Sequence, residues 1–217
     1  MKALLYFCLL LTFMVIGCNT QPKSKQTLQE KQKELDAGKL DEKNIYTAEE
    51  IGWTAALPRD WKVMTKRENY LLNQKTKNVF RDDLGTDLSD SGLVNLICIE
   101  KDQFNLFVST IQPFKELTEG DYDQHVMAIQ NMMLEFYKAK GVPEEHELGA
   151  VRIDGVMFDR FCTKLYTVDK KKIILEQKLF SALINGYVFS MSMNFNNSDD
   201  EEALMHLVMN SRFYQKK

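Results

Sequence analysis

Four cysteines and three histidines carry most of the reactive chemistry open to this chain, and their spacing decides what they can do. Cys98 and Cys162 each lie in an apolar stretch that reads as a strand. No short Cys spacing ties them to a metal or redox motif, and neither has the basic or helix-start context that lowers a thiol pKa enough for nucleophilic work. Two outcomes stay open for the pair. They can be small buried thiols, or in an oxidising compartment they can close a loop of about 64 residues, worth roughly 4 kcal/mol on the chain-entropy argument. Among His125, His146 and His206, only His125 has a suggestive neighbour, Asp121 one helical turn earlier. Two ligands do not complete a zinc site, and an acid at that position also suits a helix start. His146 stands among Glu144, Glu145 and Glu147 after Pro143, which reads as a solvated loop. Residues 81–92 supply Asp82, Asp83, Asp87 and Asp90 without the EF-hand spacing, and Gly, Ser and Asp are ordinary connection formers. No Gly-x-Ser-x-Gly elbow is present to support a hydrolytic triad. The pattern implies no catalytic residues, no cofactor and no resident metal.

Cys18 is placed differently. It closes Val15-Ile16-Gly17-Cys18 after an apolar run that begins at Ala3, directly behind Met1-Lys2. At about 14 residues the run is too short for a bilayer-spanning helix, which needs about 20. A basic start, an apolar middle and a small residue before the cut make the three-part pattern of an export signal. The motif resembles a bacterial lipobox. Residues 1–17 are then a signal peptide, and residue 18 is acylated with palmitate-like chains and becomes the first residue of the mature chain. Each buried methylene contributes about 0.8 kcal/mol, so two or three chains anchor the protein through Cys18 alone. Asn19 resembles the residue that follows the lipidated cysteine in lipoproteins sent to an outer membrane. Residues 20–27 hold no acidic cluster, so the expected location is the bacterial envelope, on the outer membrane and facing the periplasm.

Composition narrows the partners. The chain has 28 basic and 31 acidic residues, a net charge of −3, and removing the leader with its one lysine leaves about −4. Lysines form no basic stripe, and Lys170-Lys171-Lys172 follows Asp169 as in a solvated turn. Nucleic acid is therefore not the expected partner. From residue 19 to 44 the chain turns to Lys, Gln, Glu, Asp and Ser, with Leu28, Leu35 and Leu40 as its large apolar residues. One apolar residue per heptad buries too little to offset ordering, so residues 18–44 read as a flexible, partly helical tether reaching at most about 85 Å. A single domain is expected over 45–217.

The elements of that domain are legible as periods. Ile51 to Leu57 reads as a strand stopped by Pro58, with Trp53 and Trp61 flanking the turn. Leu93 to Ile99 and Phe104 to Ile111 suit a hairpin across residues 100–103, and Met157 to Val168 with Lys172 to Ala182 a second one about Asp169-Lys170. After the Asn185-Gly186 turn, Tyr187, Phe189, Met191, Met193 and Phe195 alternate with Val188, Ser190, Ser192 and Asn194, predicting one covered and one more polar face. Tyr122, Val126, Ile129, Met133, Phe136 and Tyr137 recur at helical steps and stop at Gly141. Ser198 and Glu201 predict a capping box before the stripe Ala203, Leu204, Leu207 and Val208, and residues 211–214 a terminal strand. The sum is α+β, an antiparallel sheet with helices packed on it.

This order, with Gly52-Trp53-Thr54-Ala55-Ala56-Leu57-Pro58, Trp61 and the closing helix into Ser211-Arg212-Phe213, resembles the PsbP-like family. Its α/β/α sandwiches include extrinsic photosystem subunits and bacterial envelope lipoproteins. The resemblance implies the sandwich over residues 46–214 and a non-enzymatic role in assembling envelope complexes, and it carries over no catalytic residue. The leading expectation is a membrane-anchored module that binds an envelope protein. The competing one is a small-molecule binder or hydrolase with a cleft beside the sheet, where His125 would meet an acid and a hydroxyl.

Overall fold

The computed structural model describes residues 26–85 and 92–214. The leader, Cys18, and Asp87 and Asp90 of the acidic stretch lie outside the described residues. In chain order the elements are α1 (Leu28–Lys33), β1 (Lys39–Leu40), β2 (Ile45–Ala48), β3 (Trp53–Ala56), β4 (Lys62–Val63), α2 (Lys66–Leu84), β5 (Val94–Glu100), β6 (Leu106–Pro113), α3 (Asp121–Ala139), β7 (Glu144–Ile153), β8 (Val156–Tyr166), β9 (Ile173–Ile184), β10 (Tyr187–Phe195), α4 (Ser198–Met209) and β11 (Arg212–Phe213). Seven strands form one antiparallel sheet in the order β4-β5-β6-β10-β9-β8-β7, and four form a smaller one, β1-β2-β3-β11.

Period-two alternation sorts the large sheet into two covered faces. Phe107, Ile111, Phe158, Phe180, Phe189, Met191 and Met193 pack with Trp53 of the small sheet and with Leu204, Leu207 and Val208 of α4. On the opposite face Phe161, Leu165, Leu175 and Leu179 meet Ile129, Met133, Phe136 and Tyr137 of α3, and Leu72 of α2 packs against Met64, Cys98, Leu106 and Val108. The fold is α+β, an α/β/α sandwich. The more polar face of β10 is covered as well: Ser190, Ser192 and Asn194 are all buried. Two of them find partners within the layer, Ser190 in Ser181, whose Oγ is 3.2 Å from its own, and Asn194 in Gln177, which donates to it at 3.0 Å. The Tyr137 hydroxyl donates to the same Gln177. Small hydroxyl and amide side chains let α3 approach the sheet while leaving their own polar atoms paired.

Local chemistry sets the ends of the elements. Gly141, at φ 63, ends α3, with Val142 donating to Tyr137 O and Gly141 to Lys138 O. At α4 the cap is Asn197, one residue earlier than expected, and its side chain accepts from Asp200 N. Glu201 is used elsewhere, in a pair with Lys178 at 2.5 Å. Helix α2 was not anticipated, although Thr65 and Glu68 exchange the reciprocal bonds of a capping box at its start. It absorbs residues 81–84 of the stretch read as a loop, with Asp82 paired to Arg81.

The tether also needs correction. Residues 26–44 pack onto the domain: Leu35 and Leu40 are buried, Thr27 and Glu30 form a capping box for α1, and β1 pairs with β2. Gln26 binds both polar groups of Val63, donating to its O and accepting from its N at 2.9 Å. Leu28 and Leu35 offered little burial along a single helix, but a neighbouring sheet supplies the surface that helix lacks.

Candidate functional site

The cysteines and histidines are scattered by the fold. No disulfide joins Cys98 to Cys162. Cys98 is on β5 and Cys162 on β8, with β6, β10 and β9 between them, about 19 Å of sheet at the usual strand spacing. They also point to opposite faces, so no side-chain movement brings them together. Burial raises the Cys162 pKa, and the nearby Arg160 and Lys178 lower it by less. Asp121 folds back to close the turn before α3, accepting from Leu117 N at 2.8 Å and Thr118 N at 2.9 Å, and the Thr118 hydroxyl holds its pKa down. His125 lies against the Phe114 ring, its Nε2 buried and without a hydrogen-bond partner among the described residues, and burial pushes its pKa down to about 4. The nearby Tyr122 hydroxyl donates to Asp159 at 3.0 Å. Among the described residues no three His, Cys, Asp or Glu side chains gather to hold a metal.

What the fold does assemble is an open sheet edge. His146 and its glutamates are strand β7, not a loop. Asp154 and Gly155, both at positive φ, make the two-residue turn that pairs β7 with β8 from Ile153↔Val156 to Glu144↔Leu165. Asp154 accepts from Phe213 N at 2.7 Å, pinning the turn to β11. Residues 145–150 of β7 are exposed on both faces, because neither helical layer extends over them. Leu148 is 57% exposed in the middle of the strand.

The phase of the turn fixes where the backbone groups aim. Ile153 and Val156 flank a two-residue turn and exchange hydrogen bonds, so odd-numbered residues of β7 bond to β8, as Pro143 O does with Tyr166 N at 2.9 Å. The N–H and C=O groups of Glu144, His146, Leu148, Ala150 and Arg152 therefore point outward, and no strand among the described residues pairs with that side. At the other margin of the sheet, Gln26 occupies the polar groups of Val63 on β4. Gln26 thus caps the short strand β4, whereas β7 has no strand partner on its outer side among the described residues along its whole length.

Beside the open edge is a charged basin of about 510 Å³ on the α4 side. Glu147 is bridged by Arg160, which lies across Gly149, and Glu201 by Lys178, whose ammonium stands 5.3 Å from the Phe195 ring centroid. Glu145 accepts from the Tyr166 hydroxyl at 2.7 Å. Acids and bases share the basin, and two of its ion pairs, Arg160–Glu147 and Lys178–Glu201, are closed within the chain.

No family model and no curated protein sequence matches this chain. A structural likeness does: the solution structure of cyanobacterial PsbP (CyanoP) from Synechocystis sp. PCC 6803 aligns with a TM-score of 0.50 at 9% identity, over 82% of this chain and 98% of that one. The chain has the PsbP-like fold. The sandwich expected from the Trp53 strand, Pro58, Trp61 and the closing helix is therefore shown, and at such low identity the likeness speaks for the fold alone. Sequence reading missed the PsbP-like domain's open edge because β7 is covered on neither face and so has no alternation to detect. Asp154-Gly155, a strong short-range hairpin signal, was the clue.

Proposed function

We propose that this protein is a lipid-anchored envelope module that works without turnover, by docking another protein against its sheet. The single observation that carries the reading is the ten-residue strand β7, whose outward backbone groups are unpaired among the described residues and whose middle is uncovered on both faces. An exposed sheet edge is a template for strand addition, in which main-chain hydrogen bonds give affinity and alternate side chains give specificity. The lipobox-like Val15-Ile16-Gly17-Cys18 supports membrane attachment, and Asn19 after it, with no acidic cluster following, supports an outer-membrane, periplasm-facing address.

Photo-crosslinking in the native host tests the docking. A crosslinker at Leu148 is expected to give a discrete protein adduct, and one at Met157, similarly exposed at 52% on β8, is not. Absence of any adduct from Leu148 would refute the reading. Mass spectrometry of the same material is expected to find a diacyl- or triacyl-cysteine as its first residue, and an unmodified Cys18 behind an intact leader would remove the anchor.

A further inference from the structure

We infer that the strand docking on β7 is β7 of a second copy of this chain, paired antiparallel about a two-fold axis through Leu148. The inference rests on the docking reading and names its partner. A two-fold normal to the sheet brings residues of like face into opposition, so partners share parity. Since the outward groups belong to even-numbered residues, Leu148 can sit opposite itself as a hydrogen-bonded pair. His146 then faces Ala150 and Glu144 faces Arg152, each twice by symmetry.

Charge selects this register over its neighbours. Centred on Leu148, the pairing sets Glu144 against the opposite charge of Arg152 at both ends and the exposed Leu148 against its own copy in the middle. On the other face Glu145 meets Val151 and Glu147 meets Gly149, with no like charges directly opposed. Each Glu147 remains neutralised by Arg160 of its own chain. Sliding the axis to Glu147 puts the two Glu147 side chains face to face, and sliding it to His146 opposes Glu145 and Glu147. Sliding it the other way, to Gly149, sets His146 against Arg152 and drops the Glu144 pair. Like charges directly opposite destabilise a sheet and unlike ones support it, so only the Leu148 register combines full length with complementary ends. Because residues 145–150 are uncovered on both faces, two hairpins can meet edge to edge without the helical layers colliding.

The test uses the full chain in detergent, by sedimentation and by unfolding. A concentration-dependent dimer is expected. Leu148→Pro removes an outward N–H without touching a bond to β8, and is expected to weaken dimerisation about tenfold or more while leaving the unfolding of the monomer intact. Glu144→Arg and Arg152→Glu are each expected to weaken the dimer, and the double variant to restore it, a rescue that an unrelated partner would not give. Leu148→Cys is expected to crosslink two chains on oxidation, and Met157→Cys is not. A chain that stays monomeric at every concentration, or a dimer indifferent to Leu148→Pro and to the charge exchange, would overturn the inference. If the Leu148 crosslinker captures a different protein from such a monomer, the second copy is wrong and docking stands; if it captures nothing, both fall.

Discussion

At the scale of single residues, backbone freedom and burial decide more than reactivity. Gly52 has φ 65, and a Cβ there would lie 2.0 Å from the carbonyl oxygen of Tyr214, whose N–H donates to Gly52 O at 2.9 Å. Gly141, at φ 63, has nothing within 4 Å of the same position. Gly141→Ala should therefore show only the left-handed backbone penalty, about 1 kcal/mol, whereas Gly52→Ala adds displacement of β11 and should reach about 3 kcal/mol in urea unfolding. Equal losses at the two sites would contradict this. His125 sets a pH dependence. Its folded pKa of about 4 lies below the ordinary imidazole value of 6.5, so as pH falls through that window the unfolded chain takes up a proton that the folded chain refuses. Stability is full above the unfolded value and declines as pH drops toward 4, by about 2 kcal/mol once partial exposure is allowed for. His125→Phe is expected to flatten that part of the profile, read from unfolding midpoints between pH 7 and pH 4.

At the scale of elements, caps and edges explain both what was legible and what was not. The helix α3 and strand β10 were readable because each buries a regular stripe, and the two hairpins around Asp169 and Asn185 were readable from their turn residues. Helix α2 is polar, with Lys66, Arg67, Asn69, Asn73 and Lys77 through its first turns, so no stripe announced it. Its signal was Thr65 with Glu68, as the signal for α1 was Thr27 with Glu30. Thr65→Ala should destabilise the domain by about 1 kcal/mol in thermal unfolding; no change would mean that the cap contributes nothing. The edges follow the same logic. Gln26 meets β4 across a separation in sequence that no local pattern reveals. Gln26→Ala is expected to expose the Val63 amide, raising its hydrogen-exchange rate while the amides of β10 stay protected.

At the scale of the whole molecule, folding of residues 26–44 changes the distance at which an anchored domain would work. A coil from residue 18 to the domain at residue 45 could extend about 85 Å, but with the domain beginning at Gln26 the connecting chain spans at most about 26 Å. An acylated Cys18 would then hold the sandwich near the lipid surface, where two copies on one membrane meet at raised effective concentration and edge-to-edge pairing through β7 is favoured. The two halves of the former tether should thus respond differently to deletion. Removing residues 19–25 while keeping Cys18 shortens the leash and leaves every described contact in place, so the unfolding midpoint should hold while crosslinking from Leu148 in cells changes. Removing residues 19–44 takes away the buried Leu35 and Leu40, the β1 pairing and the Gln26 seal. Two buried leucines alone are worth about 4 kcal/mol, a large fraction of a domain's net stability. That variant should unfold or be degraded, as read by limited proteolysis and thermal unfolding of membrane extracts. A domain lacking residues 19–44 that melts like the parent would show that the packed segment is a passenger rather than part of the fold.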